Sequence, residues 1–339
     1  MPWILIIIVL IIVAASMLSF FSKMTLRNVE LHGESKVYLF IPSHADYEEL
    51  RNILLSHGYV RHIKSFDWAA RRMNYTHHIK SGKFRLREGM SNRELIHLLR
   101  SGRQEPVKII LNNIKFPSEL AGQIGHLLEP DSAKFMRLFH DSSFLSRYGV
   151  NPQNVLVMMV PNTYYFFWNI TAAQFFNRMY REYRKFWQGE RRKKCDSLGL
   201  SISEVVTLAS IVEKETAKND EKPIIAGVYM NRLHRRIPLQ ADPTIIFAWN
   251  DYSIKRVLFD HLKINSPYNT YKYAGLPPGP ICLPSVSSID AVLNHQTHQF
   301  LYFCAKEDFS GYHHFAVSLS EHNRNARRYQ EALNRRNIK

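Results

Sequence analysis

Residues 3–21, WILIIIVLIIVAASMLSFF, form an unbroken run without a single charge, and its most polar members are two serines. A strand of that length would lie far outside the usual range, whereas a helix of about 20 apolar residues matches the hydrocarbon thickness of a bilayer. The run is therefore expected to enter a membrane as a single transmembrane helix, with the anchor covering residues 1–24. Val13-Ala14-Ala15 has the look of a signal-peptidase site, but no Lys or Arg precedes the run and it stays apolar to Phe21, which favours a retained anchor. Lys23 and Arg27 follow the span, and by the positive-inside rule they would keep the rest of the chain cytoplasmic. Large domains translocate despite a few such charges, so the side of the membrane is left to the chemistry of the remainder.

With 45 Lys+Arg against 29 Asp+Glu, the 339 residues carry a net charge of +16, which calls for an anionic partner such as a membrane surface or a wall polymer. The 45% of hydrophobic residues suffices for a core in each of two domains and excludes wholesale disorder. Cys195, Cys282 and Cys304 lie far apart, so neither a disulfide framework nor a Cys-x-x-Cys metal site is expected. Arg181, Arg184, Lys185 and Arg191 to Lys194 crowd one end of a helix starting at Ala172. They fit no helix-turn-helix, zinc-finger or RNA-binding pattern, so no nucleic-acid partner is expected.

Beyond the anchor, Val37 to Ile41 reads as a strand, Asp46 to Ser56 as a helix closed by Gly58, and His78 to Leu86 as a second strand. Ser91 and Glu94 make a capping box, Leu95, Leu98 and Leu99 a buried face and Gly102 a helix stop, before Val107 to Leu111 returns as a strand. Residues 35–111 thus read as a small α+β module, followed by helices near Pro117 to Leu128 and Asp131 to Phe139.

The chemistry concentrates further on. Ser201 and Glu204 cap a helix whose Val205, Leu208, Ala209 and Val212 face a core, and Glu213 and Glu215 sit near its end on opposite flanks of that stripe. Periodicity leaves open which of the two is desolvated; a carboxyl among apolar neighbours has its pKa raised, as a general acid working near neutrality needs. A helix opened by Pro223 follows, with Gly227 at a close packing contact, then a polar loop Leu239-Gln-Ala-Asp-Pro-Thr244. Ser266-Pro-Tyr-Asn-Thr-Tyr271 and Gly275-Leu-Pro-Pro-Gly-Pro280 supply amides, phenols and rigid turns suited to a groove for a hydrogen-bonding polymer. Phe300 to Ala305 and His313 to Val317 read as a hairpin turning at Asp308 to Gly311, with a last helix from Ser318. No His-Glu-x-x-His occurs, and no metal or cofactor is expected.

The segments VTLASIVEKET (206–216), MNRL (230–233), PLQADPT (238–244), SPYNTYKYAGLPPGPI (266–281) and HHF…EHN (313–323) together resemble the YceG-like family of endolytic murein transglycosylases. Pro161-Asn-Thr-Tyr164 is similar to a Pro-Asp-Thr-Tyr element of that family, and residues 82–103 to its LysM-like segment. The resemblance implies an α+β fold: the transmembrane helix, a LysM-like module (35–111), a helical connecting region (112–200) and a mixed helical and β-hairpin catalytic domain (201–339). It implies a lytic transglycosylase that cuts glycan strands of peptidoglycan between N-acetylmuramic acid and N-acetylglucosamine, leaving 1,6-anhydro ends. Glu213, the first glutamate of Ile-Val-Glu-Lys-Glu-Thr, is the acid the resemblance implies, with Glu215 in support. Gln240, Asp242, Tyr268, Asn269, Thr270 and Tyr271 become groove residues, joined by His314 and Asn323. The implied location is the cell membrane, with the catalytic part outside the cytoplasm and cell-wall synthases as neighbours. Met158-Met-Val-Pro161-Asn162 departs from the family pattern, which carries a Glu-Gly pair and an aromatic there. Two other classes remain in view: a glycan-binding anchor without activity, and a hydrolase using Glu213 with Glu215 or Asp242 and a water.

Overall fold

The apolar run folds as one helix, α1 (Pro2–Thr25), whose side chains from Trp3 to Leu18 face outward with no protein core over them. The computed structural model describes residues 2–336. Helix α1 is long and apolar enough to cross a membrane. By packing the chain divides into two units, the first running to Ile109 and including His126–Pro130 and Tyr165–Thr171, the second holding the rest.

In the first unit β1 (Val37–Ile41) is followed by α2 (Tyr47–Ser56), α3 (Ile63–Arg72), β2 (Gly82–Leu86) and α4 (Asn92–Ser101). The two strands pair antiparallel, Val37 opposite Leu86 and Ile41 opposite Gly82. Their alternation puts Leu39, Ile41, Phe84 and Leu86 into a core with Leu50 and Leu54 of α2, Phe66 and Ala69 of α3 and Leu95 and Leu99 of α4. The capping box of Ser91 and Glu94 is formed, and Gly102 takes the left-handed stop at φ 69°. Extended structure begins at Gly82 and not at His78, and α3 occupies a stretch in which the sequence had suggested no element. The end of α1 is tied into this unit: buried Asn92 donates from Nδ2 to the Lys23 carbonyl at 2.8 Å, and Asn28 donates to Asn92 Oδ1 at 2.6 Å.

Further along the chain β3 (Val107–Leu111) pairs with β4 (Asn162–Phe166) and not with β1 or β2. The second unit contains α5 (Pro117–Leu127), α6 (Ser132–His140), α7 (Ser142–Ser146), α8 (Ala172–Phe186), α9 (Glu190–Leu198), α10 (Ile202–Glu215), α11 (Lys222–His234), α12 (Asp242–Trp249) and α13 (Val286–Leu293). The hairpin β5 (Tyr302–Ala305) and β6 (His313–Ala316) and the closing helix α14 (Leu319–Arg335) complete it. The basic cluster expected on one helix is divided between α8 and α9, because Gly189 at φ 67° breaks the chain between them.

Helix α10 is the spine of this unit. Val205, Leu208, Ala209 and Val212 are buried against Ile225 and Ala226 of α11 and Ile289 and Val292 of α13, each large side chain contributing roughly 1.5–3 kcal/mol on burial. Ser210, fully buried, donates to Thr207 O at 2.7 Å and accepts from Ile281 N at 3.0 Å, which ties the proline-rich loop to α10. At Gly227 a Cβ would stand 2.4 Å from Gln296 O, so α11 can lie this close to the 296–298 segment only with glycine there.

Candidate active site

Two residues of α10 differ by about 200° around the helix, so Glu213 and Glu215 leave its last turn in opposite directions. Their surroundings differ accordingly.

Glu213 is held in a clamp. Its Oε2 accepts from Ser285 Oγ at 2.5 Å, from Ser288 Oγ, from Ser285 N at 3.3 Å and from Lys222 Nζ at 3.2 Å. The Lys222 side chain is only 6% exposed and also reaches Ser287 Oγ at 3.1 Å. Burial pushes the Glu213 carboxyl up, but the hydroxyls of Ser285 and Ser288 and the ammonium of Lys222 outweigh it and hold the group below its ordinary value. Glu213 faces a cavity of about 480 Å³ whose wall includes Asn113, Asn162, Thr163 and Ser285. Its properties are those of a fixed carboxylate, and the raised acid expected of one of the two glutamates is not found here.

Glu215 is the raised one. Burial lifts its carboxyl to about 7; a hydrogen bond from Tyr229 opposes this, and the charge of Asp242 adds to it. Tyr229 Oη donates to Oε1 at 2.5 Å. A cavity of about 400 Å³ opens beside it, lined by Glu215, Tyr229, Arg232, Gln240, Asp242, Tyr271, Tyr302 and His322.

Each wall of that cavity has a local cause. Tyr229 and Arg232 stand at i and i+3 on α11 and so share a face. Arg232 is pinned by donating to Pro238 O at 3.0 Å and Leu301 O at 3.1 Å, and its third arm reaches Gln240 Oε1. Gln240 is in the left-handed region at φ 54°, a conformation disfavoured for a side chain with a Cβ, and its N–H donates to Thr270 O at 3.0 Å. Asp242 was expected in a polar loop but is the first residue of α12, ahead of Pro243. Its carboxylate accepts from Tyr271 Oη; burial first, then this bond, push the Tyr271 phenol well above its ordinary range. His322 stacks on Tyr302 with centroids 5.4 Å apart, and its buried Nδ1 has no partner among the described residues. Burial, aided by Arg232, lowers its pKa and favours the neutral ring.

Of the residues expected in a groove, Gln240, Asp242 and Tyr271 meet around Glu215, and the others do not. Asn269 is fully buried: it donates to Leu262 O at 2.8 Å and Ile264 O at 2.9 Å and accepts from Tyr271 N at 3.1 Å, so it shapes the loop from within. Thr270 is buried as well, accepting from Ala241 N at 3.0 Å and bonding Thr244 Oγ1 at 2.8 Å. Tyr268 packs on Phe247 at 4.7 Å, against the core. His314 pairs with Glu307 at 2.7 Å on the hairpin, and Asn323 is exposed on α14, one position away from the residue that lines the cavity. Tyr229, Arg232, Tyr302 and His322 also line the cavity and are absent from the residues that the sequence marks as site residues. The signal was present in Tyr229-Met-Asn-Arg232, whose i and i+3 members carry the polar groups, and in the histidine of Glu321-His-Asn323.

Comparison with known proteins adds a second line. A family model described as the YceG-like family matches residues 39–328. The endolytic murein transglycosylase of Streptococcus pneumoniae (strain D39) is 28% identical over 331 residues, covering 89% of this chain and 60% of its own. That of Bacillus subtilis (strain 168) is 27% identical over 333 residues, covering 93% and 90% respectively. A crystal structure of a YceG-like protein from Listeria monocytogenes matches with a TM-score of 0.57 at 26% identity, over 85% of this chain and 98% of that one. The chain thus spans about 60% of the length of its streptococcal relatives and most of the Bacillus one.

Proposed function

The chain belongs to the YceG-like family, and from that premise we propose that it is an endolytic peptidoglycan lytic transglycosylase with Glu215 as its acid. The observation that carries the assignment is the half-buried Glu215 carboxyl, its pKa lifted to about 7 by desolvation, at the cavity where Gln240, Asp242 and Tyr271 converge. A general acid must hold its proton at working pH and lose it readily, and a value near neutrality meets both needs. Glu213, whose pKa the Ser285 and Ser288 hydroxyls and Lys222 hold low against burial, gives up its proton too readily to carry one at working pH and is read as a structural carboxylate.

In the proposed reaction the protonated Glu215 donates to the glycosidic oxygen as the C1–O bond of the muramic acid breaks through an oxocarbenium-like state. The Asp242 carboxylate, which already acts on Glu215 through its charge, favours that positive centre. Tyr229 Oη, donating to Oε1, stabilises the carboxylate that Glu215 becomes. That carboxylate then takes the proton of the muramoyl 6-hydroxyl while O6 bonds to C1. A 1,6-anhydro ring closes, Glu215 is protonated again and no water is consumed. Arg232 holds the Gln240 side-chain amide at the rim, and residues 201–339 supply the cleaving machinery.

The substrate exists outside the cytoplasm, so α1 is read as the membrane anchor, with the chain after about residue 25 on the wall side. An anchored cutter of this kind works on newly made strands beside wall synthases; failure of cross-linking in cells to recover any synthase would count against that neighbour. Two carboxylates at one cavity, Glu215 and Asp242, also fit a hydrolase that activates water. Mass spectrometry of the products from isolated murein separates the readings. Transglycosylation leaves 1,6-anhydromuramic ends, and Glu215→Gln abolishes them; reducing ends instead mean hydrolysis. Intact murein in the presence of folded, murein-binding parent protein means a glycan-binding anchor.

A further inference from the structure

Four arginines near the exit of α1 take no part in the site above. Arg85 on β2, Arg87 just after it, Arg93 on α4 and Arg103 beyond its end line a cavity of about 750 Å³, together with His97 and Thr25, the last residue of α1. All four arginines are exposed, and none forms an ion pair among the described residues. The acid in the cavity wall, Glu94, is occupied by the capping box of α4. The cavity is thus a concave, cationic surface on which four guanidinium groups outnumber the one carboxylate, Glu94, that Arg87 acts on through its charge.

Its height relative to α1 is fixed. The uncharged run of residues 3–21 spans about 28 Å at roughly 1.5 Å per residue, close to the ~30 Å of a hydrocarbon core, which leaves Thr25 at headgroup level. The joint is rigid, since Asn92 holds the Lys23 carbonyl at 2.8 Å and the backbone N–H groups of Asn28 and Val29 donate to Met90 O at 3.0 and 2.9 Å. An independent marker gives the same level. Trp68 of α3 packs edge-on against Phe20 at 5.4 Å with the Lys23 ammonium 5.2 Å over its ring, the placement of an interfacial tryptophan.

We propose that the exit of α1 carries a binding site for the phosphate headgroup of an anionic membrane lipid, held by Arg85, Arg87, Arg93 and Arg103. It rests on the reading of α1 as membrane-spanning. Guanidinium forks match phosphate oxygens in geometry and charge, and a basic cluster next to a span gains from the anionic surface as well. The site holds the first unit down on the bilayer and limits how it turns about α1.

The test uses the full chain. Reconstituted in vesicles, it must resist a carbonate wash; extraction would overturn the anchor and this site with it. Native mass spectrometry of the detergent-solubilised chain then compares phosphatidylglycerol with phosphatidylcholine. The parent is expected to retain phosphatidylglycerol at least about tenfold better. The Arg85→Gln, Arg87→Gln, Arg93→Gln, Arg103→Gln variant, unchanged in circular dichroism, is expected to bind the two alike. A control with Arg184, Lys185, Arg192 and Lys193 changed to Gln keeps the preference. An indifferent parent, a preference that survives the four-arginine variant, or a preference lost in the control overturns the proposal. So does displacement of the lipid by micromolar inorganic phosphate, which would mark a free-anion site, or a four-arginine variant that loses murein binding while keeping its lipid preference.

Discussion

Glu213 and Glu215 are two residues apart on one helix, yet one is a clamped anion and the other a protonatable acid. The helix turn sends Glu213 toward a buried ammonium and the hydroxyls of Ser285 and Ser288, where several donors favour the ionised form. It sends Glu215 into a half-buried site with one phenol as donor and another carboxylate nearby, where the neutral form is favoured. Burial acts on both in the same sense; the number and charge of the donors decide the outcome.

The sharpest way to break this contrast is to exchange the roles. Glu215→Gln is expected to lower murein cleavage about 10³-fold, within the span of a general acid's contribution, with the fold intact. Glu213→Gln, assayed on folded protein, is expected to stay within about tenfold of the parent, since its carbonyl still accepts from Ser285 and Ser288. A dead Glu213→Gln beside an active Glu215→Gln would reverse the assignment.

Stability should separate the pair next. Glu213→Ala leaves Lys222 buried without its carboxylate and is expected to cost about 3 kcal/mol in urea unfolding, partly restored by adding Lys222→Met. Glu215 works the other way. Folded, it keeps its proton to about pH 7, against 4.5 for the ordinary group, so stability present below 4.5 is lost as pH rises toward 7 and stays lost above it. At pH 8 Glu215→Gln is therefore expected to be more stable than the parent, by up to about 3 kcal/mol. Equal stability at pH 8 would show that Glu215 is not raised.

A finer effect belongs to Tyr229. The parent's kcat/KM is expected to fall as pH rises through about 7, because the acid is then spent. Tyr229→Phe removes a hydrogen bond to the ionised form, so the alkaline limb should move upward by about one unit while the maximum rate falls. A lower rate with an unmoved limb would make Tyr229 a packing residue only.

The same contrast explains what the sequence could and could not convey. Strand β1, the capping boxes at Ser91 and Ser201 and the burial of Val205, Leu208, Ala209 and Val212 rest on local rules of period and capping and are found as read, while the hairpin strands β5 and β6 are each one or two residues shorter than read. The site depends on which partners arrive from elsewhere in the chain. Nothing near Glu213 announces that Lys222 and the serines 72 to 75 residues away will close on it. Asn269 and Thr270 look like ligand-binding polar groups in a motif, and only the packed loop reveals that their hydrogen bonds are spent on backbone and on the Thr244 hydroxyl.

The smallest predicted effect tests that distinction at the hairpin and α14. His314 is satisfied by Glu307 on a partly exposed surface, where such pairs contribute at most about 1 kcal/mol, and Asn323 points to solvent. Neither lines the cavity at Glu215, whereas His322, the neighbour of Asn323, does. His314→Ala and Asn323→Ala should each leave cleavage within about twofold and stability within about 0.5–1 kcal/mol of the parent. His322→Ala should lower kcat/KM by more than either, because it removes a wall of the cavity and the stack on Tyr302. If Asn323→Ala proved the most damaging of the three, substrate would have to reach across the outer face of α14, and the site would extend beyond the cavity at Glu215.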